Sequence, residues 1–253
     1  MSIAEKLTTI AESLPEVYDA GNEYQNNKIW KAITDEGTRT NYSGAFRYKQ
    51  WYKNNFLPTY DITPTNASMM FRSVDPGVDE LQIDMEELEK KQGIRFDFSN
   101  CTDLSYAFAG GLFKTLNVID VSSCTGASSG HYMFYAAYSG RKLNRINRLI
   151  FGENTKPHST WFGYCYDLIH IGFEGILAQN WADVSACKYL DKESITKLIG
   201  ILSSSTSGLT ITLSKKAVNT AFGIDIDDEA TYPEGSEYYN LRNTKSNWTF
   251  NYV

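Results

Sequence analysis

The chain has 253 residues, 42% of them hydrophobic and 21% charged, which is enough apolar material for one sizeable core with small appendages. Its formal charge of -6 argues against a nucleic-acid binder, because phosphate contacts need a basic face. No run of about 18 apolar residues occurs, so no membrane span is expected. The 17 Tyr, 13 Phe and 5 Trp leave an aromatic excess that must fill a core or furnish a sticky surface.

The first 21 residues lack the basic start and apolar centre of a signal peptide, which predicts a product that does not leave by the ordinary secretory route. Ser2-Ile3-Ala4-Glu5 and Ser13-Leu14-Pro15-Glu16 each fit a capping box, so two helices should open here. Pro15 falls in the first turn of the second, where its missing N–H does no harm, and Gly21 stands at its stop. Ile3, Leu7, Ile10, Leu14 and Val17 are spaced by alternating fours and threes. That spacing suits an oligomerisation or docking segment, a trimer among the states it allows, or a helical pair packed on its own domain. Residues 22–60 are rich in aromatics (Trp30, Tyr42, Phe46, Tyr48, Trp51) without a clean period, and are expected to form an entry cap for the residues from 61 onward.

From Asp61 a pattern recurs. Its copies run from Asp61-Ile62 through Met70-Phe71 to Ile83, from Asp97-Phe98 through Ala107-Phe108 to Ile119, from Asp120-Val121 through Met133-Phe134 to Ile146, and from Ile150-Phe151 through Trp161-Phe162 to Ile171. Each has an extended opening, an apolar residue followed by Phe, and a Leu…Ile close. Ser99-Asn100-Cys101-Thr102 and Ser122-Ser123-Cys124-Thr125 strengthen the match between the second and third. One such copy cannot bury its own apolar face; stacked copies pair their short strands in parallel and oppose them with a ridge of Phe. The expectation is an α/β fold: a leucine-rich-repeat-like solenoid over 61–190 with a parallel sheet, N-terminal helices, and an α/β cap over 191–253.

That cap is written clearly. Asp191-Lys192-Glu193-Ser194 opens a helix with Ile195, Leu198, Ile199 and Leu202 on one face, and Leu209 to Leu213 alternates as a strand. Ser214 caps a short helix through Phe222, an acidic loop with Gly235 comes next, and Trp248 to Val253 reads as a closing strand.

Met133-Phe134-Tyr135, Leu143-x-x-Ile146, the Ser-x-Cys-Thr openings and Trp161-Phe162-x-x-Cys165-x-x-Leu168 resemble the BspA-like leucine-rich repeats of bacterial surface proteins. The flanks, Ser2 to Ala11 at one end and Ser207 to Ser214 with Asn247-Trp248-Thr249 at the other, resemble proteins encoded in phages and prophages of gut Firmicutes. Ala136-Ala137 departs from the Gly-Cys common in the repeat family. The resemblance implies a virion protein of the tail, baseplate or fibre that contacts other particle proteins or a host-surface glycan or protein. A bacterial adhesion or protein-interaction module is the alternative.

Catalytic chemistry finds little footing. His131, His158 and His170 surround no G-x-S-x-G serine, and the spacing of His158, Cys165, His170 and Cys187 matches no standard zinc pattern. Cys101, Cys124, Cys165 and Cys187 read as buried thiols, with disulfides open to a protein that works outside a cell. Asp225 to Glu229 lacks the Gly of a calcium loop, and no phosphate-cradling loop occurs. The expected product is therefore non-enzymatic, without cofactor or metal. Candidate ligand contacts are the loop aromatics Tyr132, Tyr135, Tyr138, Trp161 and Tyr164, and the basic Arg141 and Arg145.

Overall fold

The structure is a computed structural model in which residues 40–45, 61–73, 83–135, 143–180 and 183–253 are described. The proposed helices of residues 1–21, and Ile3, Leu7, Ile10, Leu14 and Val17 on them, lie outside these residues. Four parallel strands form the main sheet in chain order: β1 (Ile83–Asp84), β2 (Phe113–Asp120), β3 (Arg145–Phe151) and β4 (His170–Gly175). The α/β class and the parallel sheet expected from the sequence are both present.

Leu116 pairs with Ile146, and Ile146 with Ile171, so the Leu…Ile closes stand side by side. Leu116, Ile119, Ile146, Leu149, Ile171 and Phe173 are all buried. Leu116 and Ile119 in β2, like Ile146 and Leu149 in β3, are three apart, whereas Ile171 and Phe173 in β4 are two apart. Accordingly Ile146 pairs with Ile171 but Leu149 pairs with Phe173, so β3 carries one extra residue as a bulge. Gly172 makes room for it: a Cβ there would sit 2.0 Å from the Asn147 carbonyl oxygen.

Across the core from the sheet, Phe71, Phe108, Phe134 and Phe162 stack face to face. Their centroids are 5.6, 5.8 and 5.2 Å apart and their planes lie within 19° of parallel. Phe96, Phe98 and Phe113 meet this column edge-on. The backbone tracks the column: Phe71 N–H donates to Ala107 O (2.7 Å), Phe108 N–H to Met133 O (3.0 Å) and Phe134 N–H to Trp161 O (2.9 Å). Burying a Phe is worth roughly 1.5–3 kcal/mol, and offset or edge-on aromatic pairs add to it.

Two short turns recur at the corners. Asp97, Asp120 and Asp183 each accept from the N–H of the Ser two residues on, at 3.0, 2.9 and 2.8 Å, and a buried Cys comes two residues after each Ser. The side chain thus mimics a backbone turn. Asn41, Asn66 and Asp103 do the same for Ser43, Ser68 and Ser105, and bridge one another in parallel. The stacking therefore reaches back to Asn41, inside the 22–60 stretch expected only to cap it. Asp120→Ala is expected to cost about 1 kcal/mol, as for lost caps, measured by urea denaturation; an unchanged midpoint would show that Ser122 finds another acceptor.

Helix α1 (Met85–Gln92) comes directly after β1 and was not anticipated from the sequence. Asp84 caps it through Glu87 N–H, acids occupy its first turn, lysines its last, and Gly93 ends it at φ 65°. At the other end α2 (Lys192–Ile201) packs on β4 with Ile195, Leu198 and Ile199 buried, as its spacing requires. Strand β5 (Leu209–Leu213), α3 (Lys215–Phe222), α4 (Glu237–Asn243) and β6 (Trp248–Tyr252) complete the chain, β5 and β6 pairing in parallel. Helix α4, capped by Ser236, occupies part of the expected acidic loop. All four cysteines are buried free thiols, and burial pushes Cys101 up to about 11. None of the described helices is long and apolar enough to cross a membrane.

Candidate functional site

The turn that delivers each stacked Phe contains left-handed residues at fixed offsets. Two positions before the Phe, Met69, Tyr106 and Tyr132 have φ of 55°, 56° and 54°; two after, Ser73, Gly110 and Tyr164 have φ of 53°, 63° and 62°. Non-glycine residues in this region cost on the order of 1–3 kcal/mol each. Recurrence at equivalent offsets makes the strain a property of the turn, not of one reactive position. Bonds to the next turn help offset it: Met69 N–H donates to Ser105 O (2.7 Å), Tyr106 N–H to His131 O (2.8 Å) and Tyr132 N–H to Thr160 Oγ1 (3.0 Å).

The result is a stripe of tyrosines beside the Phe column. Centroids succeed one another at 5.1 Å from Tyr106 to Tyr132, 5.0 Å to Tyr135, 5.0 Å to Tyr164 and 5.7 Å to Tyr166. Arg72 lies 4.9 Å over Tyr106 at one end, and Lys188 lies 5.3 Å over Tyr166 at the other. Beyond Lys188, Tyr189 carries Lys216 at 4.2 Å from its ring, the ammonium donating to the phenol oxygen at 3.1 Å. Tyr164, Tyr166 and Tyr189 are 50%, 46% and 51% exposed, so this end of the stripe is open. Burial, then the neighbouring Tyr164, pushes the Tyr135 phenol up, so it stays neutral and able to donate. His131 sits 4.3 Å from Tyr132 and 4.2 Å from His158, whose imidazole is held below its ordinary range by burial and then by His131.

Of the residues singled out in the sequence, Tyr132, Tyr135 and Tyr164 come together on this stripe. Trp161 does not. It is fully buried, because it occupies the position before the stacked Phe that Met70, Ala107 and Met133 fill elsewhere, and it packs on Phe151 and against Gly130. Arg145 opens β3 on the exposed side and donates to Asn147 Oδ1 (2.7 Å). Tyr138 and Arg141 lie outside the described residues. Tyr106, Tyr166 and Tyr189 were missed, although Tyr106 and Tyr132 share the same offset from a repeat Phe.

Two polar clusters invite a catalytic reading. Asp191 accepts from His170 Nδ1 (2.8 Å) with one oxygen, and from Ser194 N–H and O–H (2.7 and 2.6 Å) with the other. Here the acid stands between His and Ser, whereas nucleophilic activation needs the His between them. Ser194 is fully buried and its Oγ accepts from Ile171 N–H (2.8 Å), so the cluster ties α2 to β4. In the second cluster, Glu86 accepts from Lys90 and Asn147, and Glu89 from Phe96 N–H and Asn117. Every oxygen of that pair is engaged, and the carboxylates pin α1 over the sheet.

Burial pushes the Asp191 carboxyl up, but bonds from Ser194 and His170 outweigh it and hold it below its usual range. A depressed carboxyl contributes stability that is complete above its unfolded pKa, about 3.9, and lost as pH falls through the folded value. The stability gap between the wild type and Asp191→Ala should therefore be widest near about pH 7 and close toward about pH 2. Denaturation midpoints across that range test this; a constant gap would show that ionisation of Asp191 contributes nothing to stability.

Compared with protein-family models, characterised proteins and solved structures, the chain matches none.

Proposed function

We propose that this protein is a non-enzymatic, leucine-rich-repeat-like solenoid that serves as a structural component of a phage or phage-like particle, in the tail, baseplate or fibre. Its tyrosine stripe binds the surface of the host. The observation that carries the binding role is the continuity of the stripe, five rings in successive contact with an open end at Tyr164 and Tyr166. Rings held by a stacked scaffold lose little freedom on binding. Their flat, amphipathic faces suit sugars and protein side chains alike.

The particle assignment is supported by the resemblance of the flanks to phage-encoded proteins and of the repeats to BspA-like proteins. On this reading the helices of residues 1–21 join copies or dock the chain into the particle, so weak sites on linked copies gain avidity. Two measurements test it. The full chain should sediment with host-cell envelopes, and Tyr164→Ala combined with Tyr166→Ala should weaken that binding about tenfold, the scale of a lost anchor residue. Undiminished binding would remove the stripe from the role. The protein should also be found in purified particles by mass spectrometry and electron microscopy; absence there would end the structural assignment and leave the adhesion-module reading.

A further inference from the structure

We propose that the open end of the stripe takes a linear glycan whose pyranose units carry carboxylates. This rests on the host-surface reading above and gives it a ligand class. Lys90, Arg95, Arg148, Lys192, Lys197 and Lys215 are each neutralised by an Asp or Glu within 4 Å. Arg72, Lys188 and Lys216 make no carboxylate pair among the described residues; nor do other cations such as Lys114 and Arg145, but these three are the ones that also face tyrosine rings. In a chain with 30 acids and 24 bases, lysines left to rings keep their charge for a ligand.

The acids near these lysines in the chain do not pair with them. Asp183 accepts from Ser185 N–H, and Asp191 is bound by His170 and Ser194. Asp167, next in the chain after Tyr166, is half-buried. The net charge of -6 does not forbid an anion here, since exposed charges are screened beyond about 8 Å at physiological salt.

Two ring–cation pairs stand at this end, one on Tyr166 and one on Tyr189, the chain neighbour of Lys188. Tyr164 has no cation over it among the described residues; one ring on, Tyr166 carries Lys188, and then Tyr189 carries Lys216. A pyranose stacked on Tyr164 would extend an acidic neighbour toward Lys188 on the adjoining Tyr166 ring, with Lys216 held on Tyr189, the next residue in the chain. A polyol-phosphate chain brings the charge but has no ring to stack, and a neutral glycan stacks but leaves the lysines unused. An acidic pyranose chain uses both.

Calorimetry of the full chain with polygalacturonate oligosaccharides and their carboxyl-reduced, neutral counterparts tests the idea. The acidic form should bind about tenfold tighter at about 50 mM NaCl, with the preference largely gone at about 500 mM. Lys188→Gln with Lys216→Gln, both at exposed side chains, should erase the preference without shifting the melting temperature. Equal binding of the two glycans would overturn the charge selectivity while leaving a glycan-binding stripe. Binding of neither, with envelope binding intact and sensitive to Tyr164→Ala, would overturn the glycan class but spare the host-surface reading. Binding of neither glycan nor envelope would sink both.

Discussion

Gly172→Ala is expected to destabilise the protein by about 3 kcal/mol, the upper end of what overpacking costs. The added Cβ would lie 2.0 Å from the Asn147 carbonyl oxygen and 3.0 Å from its carbon. These are backbone atoms of the neighbouring strand, so no rotamer change can relieve the overlap. The clash falls where β3 carries its extra residue against β4; relief requires the strands to part or the bulge to disappear. Losing the bulge would turn Leu149 or Ile146 out of the core, since a one-residue slip reverses the faces of a strand. Gly200 supplies the control. It lies in α2 with nothing within 4 Å of its hypothetical Cβ, so Gly200→Ala should stabilise by about 0.5–1 kcal/mol through helix propensity alone. Urea midpoints of the two variants should move in opposite directions. A neutral Gly172→Ala would show that the bulge is soft.

What the sequence disclosed is what it repeats at short range. The Leu…Ile closes and the apolar–Phe pairs are local patterns with an obligatory burial, and they appear as paired strands and a ring column. The cap helix α2 was legible for the same reason: Asp191 and the spacing of Ile195, Leu198 and Ile199 lie within three turns. The unit at Asn41 was not, because its partner Asn66 stands 25 positions on and the next, Asp103, a further 37, at unequal intervals. Helix α1 lies within that longer interval and was hidden by its weak apolar face, although Asp84, the acid-to-base gradient and Gly93 were all in place.

The stripe was half visible. Tyr132, Tyr135 and Tyr164 stood out as loop aromatics, but Tyr132 and Tyr164 reach the stripe from left-handed positions two residues from a stacked Phe. Tyrosine carries no sequence mark for that conformation. The same turn sends Trp161 inward, against the simple expectation that a Trp in a loop is displayed. Polarity gave no warning, since Trp161 and Tyr164 are three residues apart and equally aromatic, yet one is fully buried and the other half exposed.

The column itself yields the second large effect. Phe134→Ala should cost about 4 kcal/mol, within the usual range for a buried Phe truncated to Ala. Phe134 sits between Phe108 at 5.8 Å and Phe162 at 5.2 Å, so the cavity opens on two stacked faces at once. Its backbone remains held, with its N–H on Trp161 O and its carbonyl accepting from Cys165 Sγ at 3.0 Å, which limits collapse into the space. Pairing Phe134→Ala with Phe162→Ala should show a coupling of about 1 kcal/mol, the scale of an aromatic pair beyond its area. The distribution of the loss is more telling than its size. On the solenoid proposal each unit depends on its neighbours, so amide protection should fall first at positions 108 and 134, whose N–H groups bond across to the next turn. Ile211 and Leu213 in β5 should keep theirs. A uniform loss by hydrogen exchange, reaching β5 and β6 to the same degree, would mean that the chain unfolds as one block and that stacking of neighbouring units does not govern its stability.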